Sequence, residues 1–251
     1  MKINIIIPFT LNTGGLRVIF EYTNRLQKRD HQVNLIMPLV PYLFNKNIFD
    51  IKSYYEWLKN LIKNILKRKQ LKINWFELNI PIKKVWVINN NSIPDGDIVI
   101  ATAWPTAYSV YKLDKTKGNK IYFVQGYEIW SGPKKKVDKT WQLSELNKIV
   151  IASWLKNLAE KKFHQKILNI ITNGINLLQF YNDKKIYHQP RIIGMLYNTV
   201  KIKGFSDGYE AFKIAQKKYP NIKLFLLGVT REIERRLLNV INSILIPALK
   251  K

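Results

Sequence analysis

Residues 2–8 form an almost unbroken apolar run. No other feature constrains the fold as much, because a strand apolar on both faces belongs in a parallel sheet covered on both sides. The loop 9–15 follows and carries Asn12-Thr13-Gly14-Gly15. Val18, Ile19, Tyr22 and Leu26 then recur at helical spacing, which predicts a helix over 16–29. Asp30 and His31 end it, and 32–37 return as a strand. Strand, glycine loop, helix and strand within about thirty residues make one βαβ module.

The same alternation continues. A helix is predicted over 50–69, with Ile51, Tyr54, Tyr55, Leu58, Leu61, Ile62 and Ile65 in one stripe and Lys52, Lys59, Lys63, Lys67, Arg68 and Lys69 around it. Strands are predicted at 73–76, 85–88, 97–101, 120–124, 148–152 and 166–172. A helix over 153–163 takes Ser153 as its N-cap. The polar stretch 176–190 reads as a linker. A strand at 191–197, a helix at 206–218, a strand at 222–228 and a helix at 230–246 follow. This order predicts an α/β fold with parallel sheets. It divides into a Rossmann-like domain at 1–175, a linker at 176–190 and the opening of a second domain at 191–251. Only 61 residues follow position 190 (251 minus 190), fewer than the usual 100–150 of a domain. That shortfall carries the expectation that the second domain is incomplete.

Composition excludes several classes. No cysteine is present, so there is no disulfide framework, thiolate metal site or cysteine nucleophile. The three histidines, His31, His164 and His188, lie far apart, and no metal site is expected. No apolar run reaches about 18 residues, so none is predicted to span a bilayer. The opening segment has one lysine and no small-residue cleavage site, and it reads as a buried strand rather than a signal peptide. Lys and Arg number 42 against 17 Asp and Glu, a net charge of +25. Of these, 34 are lysine and 8 arginine, beside 35 isoleucines and 24 asparagines. All three abundant types have AT-rich codons, so genome composition accounts for part of the excess. A dispersed lysine surplus suits an anionic surface. Nucleic acid is not an expected partner, because no helix concentrates arginine for groove reading.

Two loops are candidates for phosphate chemistry. Gly14 and Gly15, after a strand and before a helix, let backbone N–H groups approach an anion, although a plain turn explains them equally well. This is not the GxGxxG pattern. Lys203 and Gly204, also between a strand and a helix, could neutralise a phosphate, or Lys203 could be a solvated side chain. Trp104, Tyr127 and Trp130 near strand ends could stack on a sugar or fill core space. The 50–69 stripe either packs on the sheet or lies on an anionic membrane.

In order along the chain, several segments resemble family 4 glycosyltransferases, which are retaining enzymes of GT-B fold. They are Gly14-Gly15-Leu16-Arg17-Val18-Ile19-Phe20-Glu21-Tyr22 through His31-Gln32-Val33, Tyr122-Phe123-Val124-Gln125-Gly126-Tyr127-Glu128, and Ala152-Ser153-Trp154-Leu155. Asn173-Gly174-Ile175-Asn176 with Phe180, Ile193-Gly194-Met195-Leu196 with Lys203-Gly204, and Glu210-Ala211-Phe212 with Pro220 and Leu227-Gly228 continue the series. The resemblance implies a GT-B-like pair of Rossmann-type domains. A nucleotide-sugar donor would bind the second, and a glycan or lipid-linked acceptor the first, with the diphosphate in the cleft between them. It implies donor or phosphate contacts at Gly14, Gly15, Arg17, Lys203 and Gly204, acceptor contacts at Trp104, Gln125 and Tyr127, and a catalytic role for Glu128. No cofactor or metal is implied, because cationic side chains and helix dipoles carry the leaving-group charge. The implied setting is cytoplasmic, at the inner face of the cell membrane, in envelope polysaccharide synthesis.

The chain also departs from that pattern. Tyr197 stands where the family often has a cation, with Lys201 nearby. Gly126 replaces a frequent histidine, leaving Glu128 as the nearest ionisable group. The glutamate pair separated by seven residues is absent, and Glu232 and Glu234 are too close together to replace it. The alternative expectation is therefore a catalytically inactive truncated remnant or an acceptor-binding subunit.

Overall fold

The computed structural model describes residues 1–44, 51–66, 73–181, 192–198, 201–228 and 244–245. The chain divides into two compact units, Met1–Ile175 and Asn176–Lys251. In the first, β1 (Lys2–Ile6), α1 (Gly14–Gln27), β2 (Gln32–Pro38), α2 (Ile51–Leu66) and β3 (Ile82–Val85) come first. Then follow β4 (Ile98–Ala101), α3 (Trp104–Tyr111), β5 (Asn119–Val124), α4 (Lys134–Trp141), β6 (Asn147–Val150), α5 (Ser153–Phe163) and β7 (Asn169–Ile170). The seven strands form one sheet in the order β3-β2-β1-β4-β5-β6-β7. Every pairing is parallel, with Ile5 opposite both Leu35 and Ile100.

The run at 2–8 is almost unbroken in its apolar character because its two sides serve two cores. Ile3, Ile5 and Ile7 meet Leu16, Ile19 and Phe20 of α1 on one face of the sheet. Ile6 faces the other side, where Val99, Tyr122, Val124 and Val150 meet α3, α4 and α5 through Ala107, Val110, Trp141, Leu155, Ala159 and Phe163. Fully burying one such side chain contributes about 1.5–3 kcal/mol. Asn4 is buried within β1 but paired, donating to Pro94 O at 2.8 Å and accepting from Asn34 Nδ2 at 3.0 Å.

Several expectations about elements change. Residues 73–76 are not a strand. Trp75 and Phe76 instead cover α1, with ring centroids 5.3 and 5.5 Å from Phe20. The Asn24 side chain clamps the segment by donating to Glu77 O and accepting from Asn79 N, so a side-chain amide does the work of a ladder. The strand expected at 85–88 lies at Ile82–Val85, where Leu35 pairs with Ile82. Helix α5 begins as predicted, but its N-cap is Ala152, and Ser153 is already helical. The helices α3 and α4 had no periodic signal.

Each of these two short helices ends on a buried lysine from the strand that follows it. Lys120 Nζ donates to Tyr111 O at 2.8 Å at the end of α3. Lys148 Nζ donates to Leu143 O at 2.6 Å just beyond α4. Lys148 is 2% exposed, and burial lowers its pKa from 10.5 to about 8. The unfolded chain therefore binds more protons than the folded one between those values, and stability rises as pH goes from about 8 to 10.5. The expected gain is on the order of 3 kcal/mol. Urea midpoints at pH 7.5 and 10 should differ by less in Lys148→Met than in the parent chain. An equal alkaline gain in both would refute the assignment.

The second unit carries β8 (Ile192–Leu196), a 3₁₀ turn (Lys201–Lys203), α6 (Phe205–Lys218), β9 (Lys223–Leu227) and β10 (Ile244–Leu245). Its strands run parallel in the order β10-β9-β8. Its core gathers Phe212, Leu224 and Leu226, with Met195 and Tyr209 packed against them. The helix expected at 230–246 falls outside the described residues, except that Ile244 and Leu245 are strand. The linker expected at 176–190 is described only to residue 181, where Asn176 caps a turn by accepting from Leu178 N. Among the described residues no helix is long and apolar enough to cross a membrane.

Candidate active site

The strand order reverses between β1 and β4, and the loops at the carboxyl ends of β1, β4 and β5 therefore adjoin there. Open parallel sheets bind ligands at such a switch point. From β1 the chain enters α1 through Thr13, whose hydroxyl accepts from Leu16 N at 3.3 Å. Gln125 follows β5 directly, and its Nε2 donates to Gly15 O at 3.2 Å. A Cβ on Gly15 would lie 3.4 Å from that amide, whereas a Cβ on Gly14 would meet nothing within 4 Å. The structure thus brings Gly14, Gly15 and Gln125 together. Arg17 lies one turn along α1 with its guanidinium 5.7 Å from the Phe76 ring centre.

Beside this loop, Thr102 ties β4 to β1 by donating to Ile6 O at 2.8 Å. Thr106 Oγ1 accepts from the backbone of Thr102 and Ala103. The N-cap of α3 is Ala103, which has no side chain to offer its first N–H groups. Glu128 supplies it from the β5 loop, accepting from Trp104 N at 2.7 Å. The Tyr122 hydroxyl donates to the same oxygen at 3.4 Å. Burial raises the Glu128 pKa from 4.5 to about 7, against the lowering effect of these two donors. Tyr122 itself is held well above its usual 10, first by its own burial and then by the Glu128 charge. A carboxyl that titrates near neutrality at the carboxyl end of a parallel sheet is suited to take or give a proton.

Two expected acceptor residues sit differently. Trp104 is 4% exposed, so its ring is a wall and not an open stacking platform. Its indole N–H donates to Ser131 Oγ, and its ring packs edge-on against Phe44 and Tyr108. Tyr127 points into a cluster with Asp138, Lys134 and Lys162. Its hydroxyl bonds Asp138, Lys162 lies 4.6 Å over its ring, and Trp141 and Phe163 pack beneath. A tryptophan at a strand end reads identically in sequence whether it lines a site or closes a core.

In the second unit Lys203 is exposed at the end of its 3₁₀ turn. Gly204 follows with φ 67°, a left-handed conformation that favours glycine, and forms the N-cap of α6 without a side chain. Tyr122, Thr106 and Ser131 went unread in sequence as partners of the site, since their spacing to Glu128 and Trp104 has no local signature. Among the described residues, no three His, Cys, Asp or Glu side chains gather as a metal ion would require.

The fold class is α/β and GT-B-like, a seven-stranded parallel Rossmann-type unit followed in the chain by a second parallel α/β unit. Solved structures of TarM are similar. A mutant of S. aureus TarM in complex with fondaparinux, alpha-GlcNAc-glycerol and UDP matches at TM-score 0.61 and 12% identity, over 98% of this chain and 77% of that one. A second TarM structure matches at TM-score 0.60 and 11% identity, over 98% and 76%. At such identity the likeness is one of fold. No protein-family model matches the sequence, and no curated protein does.

Proposed function

We propose that this chain is a glycosyltransferase that moves a sugar from a nucleotide-sugar donor to a glycan or lipid-linked acceptor, with retention, in envelope polysaccharide synthesis. The observation that carries the reading is the likeness in fold, over 98% of the chain, to a TarM structure holding UDP and alpha-GlcNAc-glycerol. The ordered motif resemblance to family 4 supports it independently. Gly14, Gly15 and Arg17 are assigned to the donor phosphates, with Lys203 and Gly204 from the second unit. Gln125 is assigned to the acceptor side, and Glu128 to proton transfer.

Gly14 favours this reading over a plain turn. It occupies the first turn of α1 with open space where a Cβ would be. Glycine there costs helix stability, up to about 1 kcal/mol relative to alanine. Neither packing nor a positive φ accounts for it, so we assign its bareness to ligand approach. Gly14→Ala is therefore expected to keep or slightly raise the melting temperature while weakening UDP binding at least about tenfold, which is 1.4 kcal/mol. Isothermal titration with UDP, beside a thermal melt, checks both. Unchanged UDP affinity removes the phosphate assignment. Transfer itself is tested by UDP release from UDP-sugars with glycerol-linked sugar acceptors, and retention by the anomeric configuration of the product.

A further inference from the structure

Helix α2 has two unlike faces. On the inner one, Trp57 Nε1 donates to Pro41 O at 3.0 Å and Asn64 Nδ2 donates to Leu39 O at 2.9 Å. These residues are seven apart, about two turns, and so share a side of the helix. At 100° per residue, Tyr55, Lys59, Ile62 and Leu66 fall on the opposite side, with Lys63 at its flank. Tyr55 is 63% exposed, Ile62 48% and Leu66 78%, and both lysines are exposed. The helix is thus pinned by one side and presents apolar and cationic groups together on the other.

We propose that this outer face of α2 docks on an anionic lipid bilayer. Apolar side chains flanked by lysines and a tyrosine match an interfacial helix, which buries its apolar groups at the headgroup boundary while lysines reach the phosphates. Charge separates this occupant from a second copy of the chain. A symmetric pairing would set Lys59 and Lys63 close to their counterparts between two molecules of net charge +25 each, whereas an anionic surface neutralises them. The segment 39–44 that holds α2 also reaches the candidate site. Phe44 packs on Phe9 and Trp104, and Tyr42 shares a hydrogen bond with Ser109 of α3. Docking therefore brings the bilayer beside the carboxyl edge of the sheet. If the transferase reading also holds, the acceptor is presented from the lipid surface.

The test is flotation of the full chain with vesicles, which needs neither donor nor acceptor and so fails or succeeds independently of the transferase reading. Phosphatidylcholine vesicles containing about a third phosphatidylglycerol should bind at about 0.1 M salt at least tenfold better than phosphatidylcholine alone. Ile62→Ser with Leu66→Ser should lower that binding at least tenfold, and Lys59→Gln with Lys63→Gln about tenfold or more. Leu178→Ser, at an exposed apolar residue of the second unit, should not change it. These side chains are exposed, and circular dichroism confirms that the variants remain folded. No flotation of the parent chain overturns the proposal. So do full binding by both double variants, or a parent dimer in light scattering that the Ile62/Leu66 variant dissociates.

Discussion

Glu128→Gln should lower sugar transfer at least about 100-fold, the usual scale of a lost general acid or base, while leaving the fold intact. The amide oxygen of glutamine can still accept from Trp104 N, now at 2.7 Å from the carboxylate, so α3 keeps its cap. What disappears is the titration. In the parent chain the folded pKa of about 7 exceeds the ordinary 4.5. The contribution of Glu128 to stability is therefore complete below about pH 4.5 and is lost as pH rises through 7. Stability of Glu128→Gln should be flatter across that interval by on the order of 3 kcal/mol. Glu128→Ala should be worse than either, because it leaves the Trp104 N–H without its partner at a cost of about 1–3 kcal/mol. Transfer rates and urea midpoints at pH 5 and 8 for the three proteins decide the matter. Full activity in Glu128→Gln would reduce Glu128 to a helix cap.

The largest structural effect is expected at Gly118→Ala. Gly118 precedes β5 with φ 101°, and a Cβ there would stand 2.4 Å from Asp97 C, 2.5 Å from Ile98 N and 2.6 Å from Asp97 O. All three are backbone atoms at the start of β4, held by the Asn119 N to Asp97 O bond of 2.8 Å, so no rotamer change makes room. A loss above about 4 kcal/mol follows from combined clash and backbone strain, enough to threaten a typical stability of about 5–15 kcal/mol. Gly174→Ala is the control, with nothing near its Cβ position and an expected change within about 0.5 kcal/mol. Soluble yield and denaturation midpoint report both. A midpoint for Gly118→Ala close to the parent value would mean that the β4–β5 junction rearranges.

The strands were readable where burial on both faces left an almost unbroken apolar run, as at 2–8, 35–37 and 121–124. The reading failed where side chains replaced backbone pairing. The apolar residues of 73–76 suggested a strand, but Trp75 and Phe76 pack on Phe20, and Asn24, some fifty positions earlier, holds the residues just after them at Glu77 and Asn79. Helices α3 and α4 have eight residues each, too few for a period to emerge. The cap of α3 comes from Glu128, 24 positions away, where no local signature reaches. Of the site, the glycine loop and Gln125 were legible as motif fragments. Their meeting across 110 residues depends on the strand order, which composition and spacing do not encode. The burial of Trp104 depends on Phe44, Tyr108 and Ser131 closing round it.

Strand β5 holds α3 at both ends, with Lys120 within the strand at one and Glu128 in the loop just beyond it at the other. A helix of eight residues does not persist alone in water. Helix α3 precedes β5 in the chain, yet it gains both terminal partners only after β5 has joined β4. During synthesis the helix must therefore wait for residues emerging later. The carboxylate reaches its place in the same event, and a chain released before β5 has docked has neither the helix nor the Glu128 cap. A folding error at β5 therefore removes both partners of the helix together.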